Sequence, residues 1–236
     1  VLAFPAVGPK RALFITIGES PRPDILDEMR PWWPRWPRGP RENASSLDIE
    51  ERGALDGLSR EEIARARPGE TDERLVSRLR DGTEVLLEAE WVHHRVERIV
   101  RDLDDGGIDL FVLLCTGRFQ GLAPRGILVA AGPIVDHGLA ALAESAPSIG
   151  VLLPDEGQKA GFRCEPAAGH RFLLSHASPY SGDRWEQAAR ELEDADLVVM
   201  HCMGYTEPMR RKLAEKTGKP VLLARRMVAA AVAQVL

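Results

Sequence analysis

One local pattern occurs twice in this chain, and the repeat limits the folds open to it. Residues 108–118 read IDLFVLLCTGR and residues 196–206 read DLVVMHCMGYT. Each has Asp-Leu at or next to its start (109–110 and 196–197), runs through mostly apolar residues to a cysteine, and reaches a glycine within two further positions. A short apolar run bounded by turn residues predicts a buried parallel strand. Residues just past the carboxyl ends of such strands face the ligand crevice of an open α/β sheet. The pattern therefore predicts Cys115 and Cys202 at equivalent strand ends in two related halves.

The flanking sequence fits a duplication. In the first half a strand is expected over 11–17, an exit loop over 18–23 and a short helix over 24–29. A strand follows near 46–51. Ser59 and Glu62 have the spacing of a capping box at a helix start. Residues 83–90 alternate like an edge strand or one arm of a hairpin. A helix over 91–103 puts Val92, Val96, Ile99, Val100 and Leu103 on one face. After the first cysteine come a strand over 126–130 and a helix over 134–144. In the second half strands are expected over 149–153, 171–175 and 221–224, with helices from Gln158, over 184–192, over 207–216 and over 227–236. Alternating strands and helices imply parallel sheets with right-handed crossovers. The expected fold class is α/β: two pseudo-symmetric lobes, each a mostly parallel sheet flanked by helices, with a crevice between them. Residues 1–131 with 220–236 are expected to form one lobe and 132–219 the other.

Composition narrows the function. The 236 residues suit one large domain or two lobes of roughly 100 residues each. A net charge of −5 supplies no basic field for nucleic acid or an anionic membrane surface. No apolar run approaches the ~20 residues needed to span a bilayer. The opening VLAFPAVGPK lacks the pattern of a signal peptide and reads as a frayed lead-in. Three widely spaced cysteines make no disulfide framework and fit a reducing, cytoplasmic setting. The six histidines have no zinc spacing, and neither a P-loop nor GxGxxG is present, so neither metal nor cofactor is expected. Residues 31–41, PWWPRWPRGPR, hold four prolines, which block a helix or a central strand. They read as an ordered surface loop with its indoles on the core. A lid over the crevice or a homodimer contact are the sharper readings.

A thiolate can act as nucleophile, metal ligand or base, and backbone N–H groups aimed at it lower its pKa. The Cys-Thr-Gly and Cys-Met-Gly-Tyr-Thr turns can present such amides and can also cradle a carboxylate. Two thiols facing one carbon from opposite sides would form a two-base pair, one removing a proton and the other returning one. The bland alternative is that a buried cysteine merely fills core. Cys164 has no such context and reads as structural. His201 adjoins Cys202, but adjacent strand residues point to opposite faces, so core packing is expected for it.

ITIGESPRPD near the start, GALDGLSREEI at 53–63, RVERIVRDLDDGGIDLFVLLCTG at 95–117 and MHCMGYTEPMRRKL at 200–213 together resemble the AroM family. That family looks like a distant branch of the aspartate/glutamate racemase superfamily, with hydantoin racemases, maleate isomerases and arylmalonate decarboxylases. The resemblance implies an active site between two lobes, with Cys115 and Cys202 as the catalytic pair. Ser20, Thr116, Gly117, Gly204, Tyr205 and Thr206 are then expected around the substrate. Arg22 would clamp a carboxylate through its planar fork. The chain departs from amino-acid racemases beside both cysteines. Thr116-Gly117 stands where Asn-Thr is usual, and Met203-Gly204 where Thr and then His or Glu are usual. Gly18-Glu19-Ser20 and Pro154-Asp155-Glu156 replace other expected loop residues. The implied function is a cofactor-independent racemase or epimerase acting on a small carboxylate or cyclic amide. A one-thiol cis–trans isomerase or decarboxylase, and a non-catalytic ligand-binding protein on the same scaffold, are the alternatives.

Overall fold

The computed structural model describes residues 11–33 and 47–236. The expected lead-in and most of the Trp/Pro/Arg loop lie outside these residues. The chain runs β1 (Arg11–Thr16), α1 (Pro23–Met29), β2 (Asp48–Gly53), α2 (Arg60–Arg65), β3 (Arg74–Arg78), β4 (Glu84–Glu88), α3 (Ala89–Leu103), β5 (Leu110–Leu113), β6 (Ile127–Ala130) and α4 (Ala131–Leu142). It continues with β7 (Ser148–Leu153), β8 (Arg171–His176), α5 (Trp185–Glu191), β9 (Leu197–Met200), α6 (Glu207–Thr217), β10 (Val221–Leu223) and α7 (Ala224–Val235).

Two four-stranded parallel sheets result, in the orders β2-β1-β5-β6 and β8-β7-β9-β10. Strand for strand, one order maps onto the other, so the duplication read in the cysteine units extends through both sheets. Each cysteine strand is four residues long and wholly buried. Within it, successive side chains alternate between faces. Leu110 and Val112 join Ile149, Val151, Leu197 and Val199 in a core shared by the two sheets. Phe111 and Leu113 instead meet Val92 and Val96 of α3, while Val198 and Met200 meet α5 and α6. The inner core also takes in α1, α4 and α7.

Three expectations need correction. Strand β10 pairs with β9, so residues 221–223 lie in the second sheet and not with the first lobe. Helix α7, which follows it, packs on α1, α4 and β6. The helix expected from Gln158 is a single 3-10 turn over Glu156–Gln158. Asp155 caps Gly157 there, and two glycines in five residues leave too little chain to nucleate an α-helix. Arg30–Trp32 forms a 3-10 turn despite Pro31, because the first turn needs no N–H from it. The hairpin arm expected over 83–90 is present as β4, and its partner arm is β3. The capping box at Ser59 and Glu62 is present.

Candidate active site

In both sheets the chain reverses its direction of growth between a first strand and a cysteine strand: β1 beside β5, and β7 beside β9. A ligand crevice belongs at such a switch point. The carboxyl ends of these four strands meet around one cavity of about 580 Å³, lined by Thr16, Ile17, Leu114, Cys115, Leu153, Pro154, His201 and Cys202 among others. The β3–β4 hairpin, without a counterpart in the second half, adds residues 70–77 to the wall. The hairpin is tied to the second lobe where Gln158 Nε2 donates to the Arg74 carbonyl (2.8 Å) and Ser178 Oγ donates to Glu84.

The two cysteine turns are alike atom by atom. The Gly117 amide donates to Cys115 Sγ at 3.4 Å, and the Gly204 amide donates to Cys202 Sγ at 3.3 Å. Glycine stands at both positions because neighbours press on the backbone. A Cβ on Gly117 would sit 2.8 Å from Leu75 Cδ2, and one on Gly204 2.6 Å from the Tyr180 hydroxyl. Both thiols are buried and free, as is Cys164. Cys164 Sγ lies against the Asp136 carbonyl and does not line the cavity.

The expected amides are present, but they do not bring the thiols down. Burial pushes Cys115 up to about 12, against the opposing pull of the Gly117 amide, and a charge on Cys202 adds to the rise. Burial also raises Cys202. There the Gly204 amide, Arg22 and Arg225 all work in the opposite direction. The two thiols are thus matched in geometry and unmatched in electrostatics.

Of the remaining expected site residues, Arg22, Thr116, Gly117 and Gly204 line the cavity, while Ser20, Tyr205 and Thr206 do not. The Ser20 hydroxyl donates to Asp56 at 2.6 Å and is turned toward the β2–α2 turn. The Tyr205 hydroxyl donates to the Ala177 carbonyl at 2.8 Å in full burial, which makes it a core residue. Thr206 caps α6, accepting from the Met209 amide. Arg22 is not free to act as the expected clamp. Its Nε and Nη2 grip Asp24 bidentately at 2.9 Å each, Nη2 also donates to the Tyr180 hydroxyl, and Nη1 to Thr16 Oγ1. Burial opposes its charge, but these partners hold it protonated, and Asp24 in turn lies below the usual carboxylate range despite its own burial.

Several residues of the site escaped the sequence reading. Tyr180, pushed up to about 12 by burial, lines the cavity beside Arg22. Arg74 lines it from the hairpin, with Nε buried and unpartnered. His201 is on the cavity wall with Cys202, not on the opposite face, because β9 ends at Met200 and strict alternation ends with it. Its Nε2 lies 3.0 Å from Asp136 Oδ1, and its carbonyl accepts from Thr116 Oγ1. A proline before Tyr180 and an aspartate sixty-odd residues before His201 give no local signal; only the fold joins them. Among the described residues, no cluster of His, Cys, Asp and Glu could hold a metal ion, and no helix is long and apolar enough to cross a membrane.

Known structures share this architecture. Allantoin racemase from Klebsiella pneumoniae superposes with a TM-score of 0.59 at 14% identity, over 95% of this chain and 86% of that one. Arylmalonate decarboxylase gives 0.56 at 12% identity, over 95% and 91%. Nocardia farcinica maleate cis-trans isomerase gives 0.55 at 15% identity, over 96% and 92%. At these identities the likeness is one of fold. No curated protein matches the sequence. The family described as AroM protein matches residues 13–236, and the chain therefore belongs to the AroM family.

Proposed function

We propose that the chain is a cofactor-independent isomerase of the racemase or epimerase type, acting on a small carboxylate or cyclic amide. The observation that carries this reading is the pair of thiols lining one cavity, each at a switch-point strand end and each receiving the amide two residues on. In the proposed step one thiolate takes the proton from the carbon next to a carbonyl. The electron pair moves onto the carbonyl oxygen, and the other cysteine, as thiol, returns a proton to the opposite face. The first cysteine ends as thiol and the second as thiolate, and exchange with solvent resets the pair. Arg74, which lines the cavity and makes no ion pair among the described residues, suits an anionic oxygen better than Arg22, whose fork Asp24 occupies. The reading requires reduced thiols, in keeping with the cytoplasmic setting expected from cysteine usage.

The unequal surroundings of the thiols favour a second reading, in which Cys202 alone does the chemistry of a cis–trans isomerisation or a decarboxylation. The two are separated by incubating amino acids, hydantoins and hydroxy acids in deuterated water and following exchange at the stereogenic carbon. Two-base chemistry predicts exchange with inversion in the wild type and loss of racemisation, by about a hundredfold or more, in both Cys115→Ala and Cys202→Ala. Turnover that survives Cys115→Ala supports the single-thiol reading. No exchange of any candidate would count against the racemase reading.

A further inference from the structure

The helices that follow the last strand of each half both start on an alanine placed directly after the strand, and their second residues differ in kind. Helix α4 begins directly after β6, and its second residue is Gly132; α7 begins directly after β10, and its second residue is Arg225. Both face the two carbonyls that follow the cysteine of their half. A Cβ on Gly132 would lie 3.0 Å from the Gly117 carbonyl oxygen and 3.2 Å from that of Thr116. Arg225 instead projects a fully buried guanidinium. Its Nη2 donates to the carbonyls of Met203 (2.9 Å) and Gly204 (3.4 Å), Nε to Met203 (3.2 Å), and Nη1 to Asp24 (2.6 Å). Glu28 is its carboxylate partner, at 2.9 Å. One turn is clamped by a cation from behind, and its twin lies against bare backbone.

We propose that Arg225 is a positioning residue that divides the labour of the two thiols. It fixes the Cys202 turn and places a positive charge behind it, which marks Cys202 as the proton acceptor. Gly132 leaves Cys115 without such a charge, as the proton donor. The charged and titratable groups that act on Cys202 are Arg22 from the β1 exit loop, Arg225 from α7 and Glu84 from the hairpin. Tyr180, Tyr205 and Cys115 also sense its charge. Cys115 has only Cys202 and Glu73 acting on it, both against ionisation.

Its catalytic consequence rests on the two-thiol reading, but the division itself is measurable without a substrate. The probe is uncharged iodoacetamide, with peptide mass mapping to give separate alkylation rates for Cys115 and Cys202 against pH. In wild type, Cys202 should react with the lower midpoint. Arg225→Met should raise the Cys202 midpoint by about one pH unit and leave that of Cys115 in place. Arg225→Lys should keep part of the difference. Glu28→Gln removes the carboxylate that offsets Arg225 and should lower the Cys202 midpoint, a change of sign that loss of packing would not produce. Because Glu28 is partly exposed, this variant decides the matter even if Arg225→Met fails to fold. A Cys115 midpoint at or below that of Cys202 in wild type, or a Cys202 midpoint unmoved in Arg225→Lys and Glu28→Gln, overturns the inference. Midpoints that shift as described in a protein that exchanges no candidate substrate would leave the division standing and remove the isomerase reading.

Discussion

A thiol is a poor base while it holds its proton, and at this site burial keeps it there. Cys115 is pushed up to about 12, and Cys202 lies above the ordinary thiol range, tempered by Gly204, Arg22 and Arg225. The sign for catalysis follows. A raised pKa preserves the thiol form to higher pH, so a rate that needs Cys202 as thiolate should climb as pH rises from neutral into the alkaline range. A fall is due only when Cys115, the donor, loses its proton, and that lies near 12. The rate on any accepted substrate, measured against pH, should therefore show a rising limb with a slope of about one decade per unit and no descending limb below about pH 10. A bell centred at neutral pH would contradict this arrangement.

At the scale of elements, the β3–β4 hairpin is the part of the site specific to one half. It is held to the first lobe where the Arg80 amide donates to Glu19 (2.7 Å), Arg80 Nε to the Ser20 carbonyl (2.6 Å), and the Glu19 amide to the Arg78 carbonyl. Gly18 lets the two backbones meet: a Cβ there would lie 2.6 Å from the Arg78 carbonyl oxygen and press on Ser77 Oγ. Gly18→Ala should thus destabilise the fold by roughly 1–3 kcal/mol, read as a lower urea midpoint. The hairpin also shows where legibility ended. Strands β1, β5, β7 and β9 announce themselves as apolar runs, and the cysteine turns as a repeat. In 71–78, TDERLVSR, only Leu75 and Val76 are apolar and charged residues interrupt the pattern, although Leu75, Val76 and Ser77 are all buried. Partners such as Arg22 with Tyr180, or Asp136 with His201, were illegible for another reason. They lie 158 and 65 residues apart and are joined only by the crossing of elements.

At the scale of the whole molecule, the largest core belongs to neither sheet alone. Phe14 and Val112 from one, and Val151 and Val199 from the other, are buried together with α1, α4 and α7. Separating the sheets would expose this layer on both, at about 25 cal/mol per Å² of apolar surface. The chain should therefore unfold in one cooperative step, with far-UV circular dichroism and tryptophan fluorescence giving coincident urea transitions. Two resolved transitions would show that each lobe holds its own stability. The same shared layer sets the two cysteine turns at fixed mutual orientation, so the cavity between them is part of the folded architecture.

The contrast between Gly132 and Arg225 reaches beyond the resting protein to the two mirror-image forms of a substrate. If Cys202 takes the proton and Cys115 gives it, one enantiomer meets the protein in the state it prefers, and the other requires the opposite distribution of protons. Mirror images are equal in free energy in water, so kcat/KM must be the same in both directions. An inequality between the thiols can then appear only as matched differences in kcat and KM: the hand that presents its proton to Cys202 meets the favoured state and has the lower KM, with a kcat lower in the same proportion.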